Sequence, residues 1–296
     1  MQLSVLIATR NNADSLARLL SALQLCVQPE SWEAMIVDNG STDQTAQVIE
    51  NFRPRLPLQS LYVVEKGKSR ALNAGLRKVH GEIILFTDDD VMPDKLWLVN
   101  HISAMRNYPE ALMIGGRIKV EQKSMPSWVA NSFNLSGMLV SEHNPGGHAT
   151  PYLPNRYPYG PNMSVRRSIL ADVDRPWPEH LGPGTVMPVG DETGFVRKLG
   201  IPSHQRLYIQ DCVVEHRPVL PSLFFIKAVR RCFIGGYVAG RYTVSEEGNA
   251  NSLPVASLAL SRFTACKSIR ELCCVVSRAA GVGVGRLHGK VSPPVL

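Results

Sequence analysis

Residues 65–94 read EKGKSRALNAGLRKVHGEIILFTDDDVMPD. A basic turn, Lys66-Gly67-Lys68-Ser69-Arg70, opens a segment in which Leu72, Gly75, Leu76 and Val79 recur at helical spacing. The apolar run from Glu82 to Phe86 has the length of a strand and leads into three consecutive carboxylates, Asp88, Asp89 and Asp90. Basic turn, helix, strand and acidic loop in this order form one unit of an α/β repeat, and the pattern extends to both sides.

Upstream, candidate strands at Leu3 to Ala8, Ala34 to Val37 and Leu61 to Val64 alternate with helices, the first marked by Leu16, Leu19, Leu20 and Leu23. Ser41 with Gln44 forms a capping-box pair before Ala46, Val48 and Ile49, which predicts a helix start at that point. A fifth strand is expected over Leu112 to Ile118. The expected fold class is therefore α/β, with a mostly parallel central sheet flanked by helices. Such sheets bind ligands beyond the carboxyl ends of their strands, where loops and helix N-termini converge. That rule places Thr9-Arg10-Asn11-Asn12, Asp38-Asn39-Gly40-Ser41, Lys66 to Arg70 and Thr87 to Asp90 on one rim.

From Glu121 to Gly184 the chain is rich in Pro, Gly, Asn and aromatic residues, with one strand expected around Asn162 to Arg166. A helix follows over Asp191 to Leu199, then alternating strands from Arg206 to His216, and two or three helices beyond Pro218. The expected organisation is a domain of residues 1–216, in halves 1–120 and 121–216, with a basic helical C-terminal extension over 217–296.

The 296 residues are 44% hydrophobic and 19% charged, enough to bury a sizeable core and too apolar for wholesale disorder. The net charge of +7 is uneven: residues 217–296 hold 11 Lys+Arg against 3 Asp+Glu, leaving 21 against 22 for residues 1–216. Nucleic acid is accordingly not expected as a partner of the first 216 residues. No apolar run approaches the ~18 to 20 residues of a membrane span, and Leu3-Ser4-Val5-Leu6-Ile7 begins a strand without a charged leader, so a cytoplasmic chain is expected. The six cysteines show no C-x-x-C pair and read as reduced, mostly buried thiols, with acylation of Cys273 and Cys274 as the alternative.

Three adjacent carboxylates at the end of an apolar strand repel one another unless a cation sits among them, and hard oxygen ligands suit Mg2+ or Mn2+. Taken alone, the triplet also fits a solvated, N-capping acidic turn. Asp38 ends a buried strand, where it would meet a base or ribose edge or simply cap the next helix. Lys66, Lys68 and Arg70 would clamp a diphosphate, or form a solvated basic turn. Asp191 and Glu192 open a helix after Leu181-Gly182-Pro183-Gly184-Thr185, one suited to capping and the other to facing a cleft.

The stretches SVLIATRNNADSLARLLSAL, AMIVDNGSTDQT, EKGKSRALNAGLRKVHGEIILFTDDDVMPD, YGPNMSVRRSIL, LGPGT, GDETGFVRKLG and CVVEH, in this order over about Met1 to His216, resemble the landmarks of the family-two inverting glycosyltransferases. The resemblance implies a GT-A fold and a nucleotide-diphospho-sugar donor. It implies that Thr9, with Arg10 on its loop, and Asp38 hold the nucleobase and that Arg70 and Lys68 hold the ribose-diphosphate region. It further implies that Asp88 and Asp90 make the D-x-D metal and ribose contacts, with Asp89 assisting. Where the family has Glu-Asp this chain has Asp191-Glu192: Glu192 has the register of the catalytic base and Asp191 its residue type. His216 matches a histidine that in some members reaches the metal. The loop Thr9-Arg10-Asn11-Asn12 departs from the commoner Thr-Tyr-Asn-Arg, which leaves the nucleobase open.

A nicotinamide-dependent dehydrogenase is disfavoured because no glycine fingerprint follows the first strand, and a P-loop is absent. A nucleotidyltransferase, a retaining transferase of the same fold and a basic nucleic-acid or membrane-surface binding protein remain as rivals. Leu223, Phe224, Ile226, Phe233, Ile234 and Tyr237 accompany Lys227, Arg230, Arg231 and Arg241 on a helix expected from Pro221 onward. This basic amphipathic segment either packs its apolar side on the preceding domain with its charges solvated, or contacts an anionic membrane surface on the inner face, beside a carbohydrate or lipid-linked acceptor.

Overall fold

Along Leu3-Ser4-Val5-Leu6-Ile7 successive side chains point to opposite faces of a strand, and both faces are buried. In the computed structural model, which describes residues 2–121, 125–132, 135–154, 156–217, 225–246, 266 and 268–291, this run is β1 (Leu3–Thr9). β2 (Trp32–Asp38) lies parallel on one side of it and β4 (Ile83–Asp88) parallel on the other, while β3 (Leu58–Tyr62) pairs with β2. Leu3, Val5, Ile7, Ala34, Ile36, Ile83 and Leu85 face one apolar layer, and Leu6, Met35, Val37, Ile84 and Phe86 face the other.

Helices cover both faces. Leu16, Leu19, Leu20 and Leu23 of α1 (Ala13–Leu25) join the first layer with α2 (Thr45–Phe52) and α4 (Trp97–Asn107). Leu72 of α3 (Lys68–Leu76) joins the second, where Trp177 stacks on Phe195 at 4.2 Å. Each fully buried leucine contributes about 1.5–3 kcal/mol by leaving water, and truncating Leu20 to Ala costs about 2–5 kcal/mol.

The remaining strands are β5 (Val91–Pro93), β6 (Met113–Val120), β7 (Ala149–Pro151), β8 (Met163–Arg166) and β9 (Arg206–His216). The sheet runs β3-β2-β1-β4-β8-β6-β9-β5, with β7 on β9. It is parallel from β3 to β4, as expected, and mixed beyond, because β8 runs antiparallel to both β4 and β6. β9 is one strand rather than several, interrupted by a register shift opposite Gly116 and Arg117.

Two expected boundaries move. α2 begins at Thr45 rather than at a Ser41–Gln44 box, because residues 41–45 are tied elsewhere. Ser41 N donates to Asp38 Oδ1 at 2.9 Å, Thr42 N to Asn11 Oδ1 at 2.7 Å and Thr45 N to Asp43 Oδ1 at 3.1 Å. β3 covers Leu58–Tyr62 and not Leu61 to Val64, since pairing with β2 sets its register and only Leu58 is buried along it.

The strands above and their helices, with α7 (Asp191–Lys198), belong to one compact unit of Met1–Val120, His143–Val186 and Asp191–Arg217. A second unit comprises Glu121–Glu142, Met187–Gly190 and Pro218–Leu296. Its described helices are α5 (Ser127–Ala130), α6 (Leu135–Val140), α8 (Phe225–Glu246) and α9 (Ile269–Val291), of which α8 and α9 pack together. Of the apolar residues expected on the first C-terminal helix, Leu223 and Phe224 lie outside the described residues. No helix among the described residues is long and apolar enough to cross a membrane.

Within the first unit, burial pushes the His101 imidazole down to about 4, even though Asn162 favours its charge. The unfolded chain therefore binds a proton that the folded one rejects between pH 6.5 and 4, so stability falls as pH falls through that window. Going from pH 7 to pH 5 should cost about 2 kcal/mol through His101 alone. Urea unfolding at both pH values checks this, and the loss should shrink in His101→Gln; an unchanged difference would count against the assignment.

Candidate active site

The parallel register levels the carboxyl ends of the strands: Thr9 pairs with Asp38 across β1 and β2, and Ala8 with Asp88 across β1 and β4. Thr9, Asp38 and the aspartate triplet thus share one rim, as the sequence suggested. Asp89 faces the β1 loop, accepting Thr9 Oγ1 at 2.6 Å and Asn12 Nδ2 at 2.9 Å. Burial, with Asp90 close by, pushes the Asp89 carboxyl up to about 7.

Asp88 pairs with the Lys68 ammonium at the start of α3. Burial raises the Asp88 carboxyl above its usual range despite that cation. Burial works against the Lys68 charge too, but Asp88, Asp191 and Glu192 together outweigh it and hold the ammonium charged well beyond the usual lysine range. The Lys68 charge is thus favoured both by its Asp88 partner and by the carboxylates at the head of α7.

Asp90 completes the triplet. β5 pairs antiparallel with β9, so that Val91 lies opposite His216 and the imidazole reaches Asp90. His216 Nε2 is 3.3 Å from Asp90 Oδ2. Burial works against the Asp90 charge, but His216 prevails and holds the carboxyl below its ordinary value. Asp90 Oδ1 is buried and accepts no hydrogen bond from the described residues.

That unpartnered oxygen decides how a divalent cation fits. Among the described residues no three of His, Cys, Asp and Glu converge as a complete ligand set. A partial set of one or two carboxylates is what Mg2+ or Mn2+ takes when substrate phosphates fill the rest of the shell. Asp90 with Asp88 and His216 beside it therefore suits such a cation.

Asp191 and Glu192 head α7 and differ in surroundings. Asp191 is 2% exposed, and its Oδ2 has no partner among the described residues. It packs on Gly182, whose φ is +91°; a Cβ there would stand 2.7 Å from the Asp191 carboxyl carbon. Burial, then Glu192, raises its carboxyl well above the ordinary range. Glu192 is only half-buried and lies over Gly160, where a Cβ would meet Oε1 at 2.7 Å.

Three expected binders are placed less simply. Asp38 caps the backbone of Ser41. Arg70 pairs with Glu179 at 3.3 Å and Glu65 at 3.4 Å. Arg10 is half-buried and makes no hydrogen bond or ion pair with the described residues.

Sequence reasoning missed the asparagines that hold the rim. Asn39 is 4% exposed; it donates to Val63 O and Glu65 O and accepts from Gly67 N at 2.8 Å, fixing the loop before Lys68. Asn73 exchanges hydrogen bonds with the Trp177 backbone. Lys68 N and Ser69 Oγ donate to Pro183 O and Leu181 O, which brings the loop before α7 to α3. Asn162, just after Gly160-Pro161, satisfies both ends of its amide. The sequence signals for these positions were the rim stretch Asp38-Asn39-Gly40-Ser41 for Asn39 and YGPN for Asn162, while Asn73 lies inside a helix pattern that gave none.

Comparison with known proteins now bears on the arrangement. Residues 4–174 match the family described as Glycosyl transferase family 2. Glycosyltransferase AglE of Haloferax volcanii is 25% identical over 181 residues, 60% of this chain and 56% of AglE. TarS of Staphylococcus aureus, a poly(ribitol-phosphate) beta-N-acetylglucosaminyltransferase, is 34% identical over 93 residues, 30% of this chain and 16% of TarS. The chain spans little more than half the length of the first of these curated relatives and much less of the second.

Among solved structures, residues 1–349 of TarS superpose with a TM-score of 0.57 at 17% identity, covering 98% of this chain and 90% of that one. The mannosyltransferase PcManGT of Pyrobaculum calidifontis, solved with GDP-Man and Mn2+, gives 0.62 at 18% identity, with 98% and 87% covered. At these identities the likeness establishes the GT-A fold and its C-terminal helices.

Proposed function

The chain belongs to glycosyltransferase family 2, and from that premise we propose that it moves a sugar from a nucleotide-diphosphate donor to an acceptor hydroxyl, with inversion and with Mg2+ or Mn2+. The observation that carries this reading is Lys68 paired with Asp88 on the donor rim, with the two carboxylates heading α7 close enough to favour its charge.

Thr9, Arg10 and Asp38 on the rim are the nucleobase and ribose side of the donor site. Lys68 would face the diphosphate with Asp88 and Asp89 beside it, and Arg70 would join it on leaving Glu179 and Glu65. Asp90 and Asp88 would hold the cation beside His216, with donor phosphates filling the rest of its shell, and when bound it would supply neutralisation of the leaving diphosphate. Glu192 accepts the acceptor proton as the hydroxyl oxygen attacks the anomeric carbon opposite the leaving group; Gly160 leaves the space its carboxylate occupies. Asp191, buried where desolvation favours its uncharged form, anchors the start of α7 on Gly182. Inversion follows from a single displacement of this kind.

The acceptor in this reading is a carbohydrate or lipid-linked glycan intermediate, met from the cytoplasmic side at an anionic membrane surface on which the C-terminal helices rest. What supports the surface contact is their basic charge.

A panel of nucleotide sugars, each with and without Mn2+ or Mg2+, tests the donor reading by thermal shift. A donor held at ~100 times its dissociation constant adds ~2.7 kcal/mol. The expected result is cation-dependent stabilisation by one donor and, with acceptor, release of the nucleoside diphosphate with an inverted anomeric centre in the product. Stabilisation by no donor with either cation, or a retained configuration, would remove the corresponding part of the proposal.

A further inference from the structure

α8 and α9 meet through glycine. Gly236 and Gly240 lie against the backbone carbonyls of Arg278 and Val282, and Gly281 and Gly285 against those of Phe233 and Tyr237. A methyl group at any of the four would overlap the facing carbonyl, so the helices approach backbone to backbone. A seam built of glycine takes up few large side chains. Those of α9 accordingly stand on its other side: Ile269, Leu272, Val276, Val284 and Leu287 are 80, 39, 48, 48 and 68% exposed. They recur along one face over about five turns, and exposed Cys273, Ala280 and Gly283 fall on the same face, with no charged side chain among these eight positions.

The pair is nevertheless strongly basic. Its two helices carry eight Lys or Arg, among them Arg230, Arg231, Arg270 and Arg278, against Glu246 and Glu271. Glu271 is 1% exposed and accepts the Ser132 hydroxyl at 2.5 Å, so its charge does not face outward. An uncharged apolar face on a basic helix pair suits the boundary between head groups and acyl chains of an anionic bilayer. Stacking two copies of the chain through the same face would instead bring two basic surfaces together.

We propose that the Ile269–Leu287 face of α9 is the membrane contact, lying in the interfacial layer of an anionic bilayer with the exposed Lys227, Arg230, Arg231 and Arg270 at phosphate level. The proposal rests on the membrane part of the function above and moves the contact from the 221–241 segment, where the sequence placed it, to α9. Because the helices join through their backbones, they dock as one plate.

The test uses the full chain and vesicles of phosphatidylglycerol with phosphatidylcholine. The wild type should co-sediment with them and be released as salt rises. Val276→Asp and Leu287→Asp should each lower the bound fraction about 10-fold, whereas Leu153→Asp, an equally exposed change in the other unit, should leave it unchanged. Circular dichroism and the melting temperature establish that each variant is folded. An independent measurement uses Cys273, exposed on the apolar face: in a Cys266→Ser background, an environment-sensitive thiol dye on Cys273 should shift to the blue when vesicles are added. Wild-type binding retained by both Asp variants, with no dye shift, overturns the assignment of α9 while leaving the membrane reading intact. Failure of the wild type to bind removes both, and dimers in solution that Leu287→Asp dissociates would identify a second copy as the occupant instead.

Discussion

Asp90→Asn should lower glycosyl transfer by about 10³-fold, because charge stabilisation by a bound cation is worth several kcal/mol and each ~1.4 kcal/mol is a factor of ten. Asp90 Oδ1 is a buried carboxylate oxygen to which no described residue donates, so its loss takes little from the fold. The amide keeps a polar neighbour for His216 Nε2, which lies 3.3 Å from Oδ2, and the melting temperature should stay near that of the wild type. Asp88→Asn should silence transfer as well and weaken cation-dependent donor stabilisation, because Asp88 is the carboxylate paired with Lys68. Turnover at limiting Mn2+ or Mg2+ separates the possibilities: if both variants work as the wild type does, the triplet is only an acidic turn.

The second large effect divides two adjacent carboxylates. Glu192→Gln should cut transfer by about 10² to 10⁴-fold, the usual contribution of a positioned base, while leaving donor stabilisation in place. Asp191→Asn should change the rate less than about tenfold, because burial already favours the uncharged carboxyl and the amide is a near-isostere of it. The packing supports the same division, with Asp191 enclosed against Gly182 and Glu192 half-exposed over Gly160. Single-turnover rates and donor titrations on both variants provide the check; near-normal transfer by each would discard the head of α7 as the source of the base.

The fold was readable where one period dominated. Leu3 to Ile7, Met35 to Val37 and Ile83 to Phe86 are apolar on both faces, the mark of a strand buried between helix layers, and each became a central strand. Where pairing rather than composition sets the outcome, the reading slipped. β3 starts at Leu58 because its register comes from β2, and α2 starts late because Asp38, Asn11 and Asp43 hold the residues before it. The site follows the same division. Asp88 to Asp90 announce themselves as adjacent charges, and Lys68 as part of a basic turn, but the hydrogen bonds that tie Lys68 and Ser69 to Pro183 and Leu181 join positions more than 110 residues apart in the chain. Arg70 lay equally near in sequence and is drawn instead to Glu179, a partner that local pattern does not reveal.

Asn162 has a consequence beyond holding its turn in place. Trp97 Nε1 can only donate, so the Asn162 atom 2.8 Å from it is the oxygen, and the nitrogen is the atom that donates to Arg117 O and Cys212 O. The same oxygen meets His101 Nε2 at 2.9 Å, which obliges that nitrogen to carry the hydrogen. In the neutral ring Nδ1 is then bare and accepts from Ser164 Oγ at 2.9 Å. One indole thereby dictates, through an amide, the tautomer of a histidine and the rotor of a serine. Every proton in this buried row has a determined address, and nitrogen chemical shifts of the His101 ring should report the Nε2–H form across the neutral pH range.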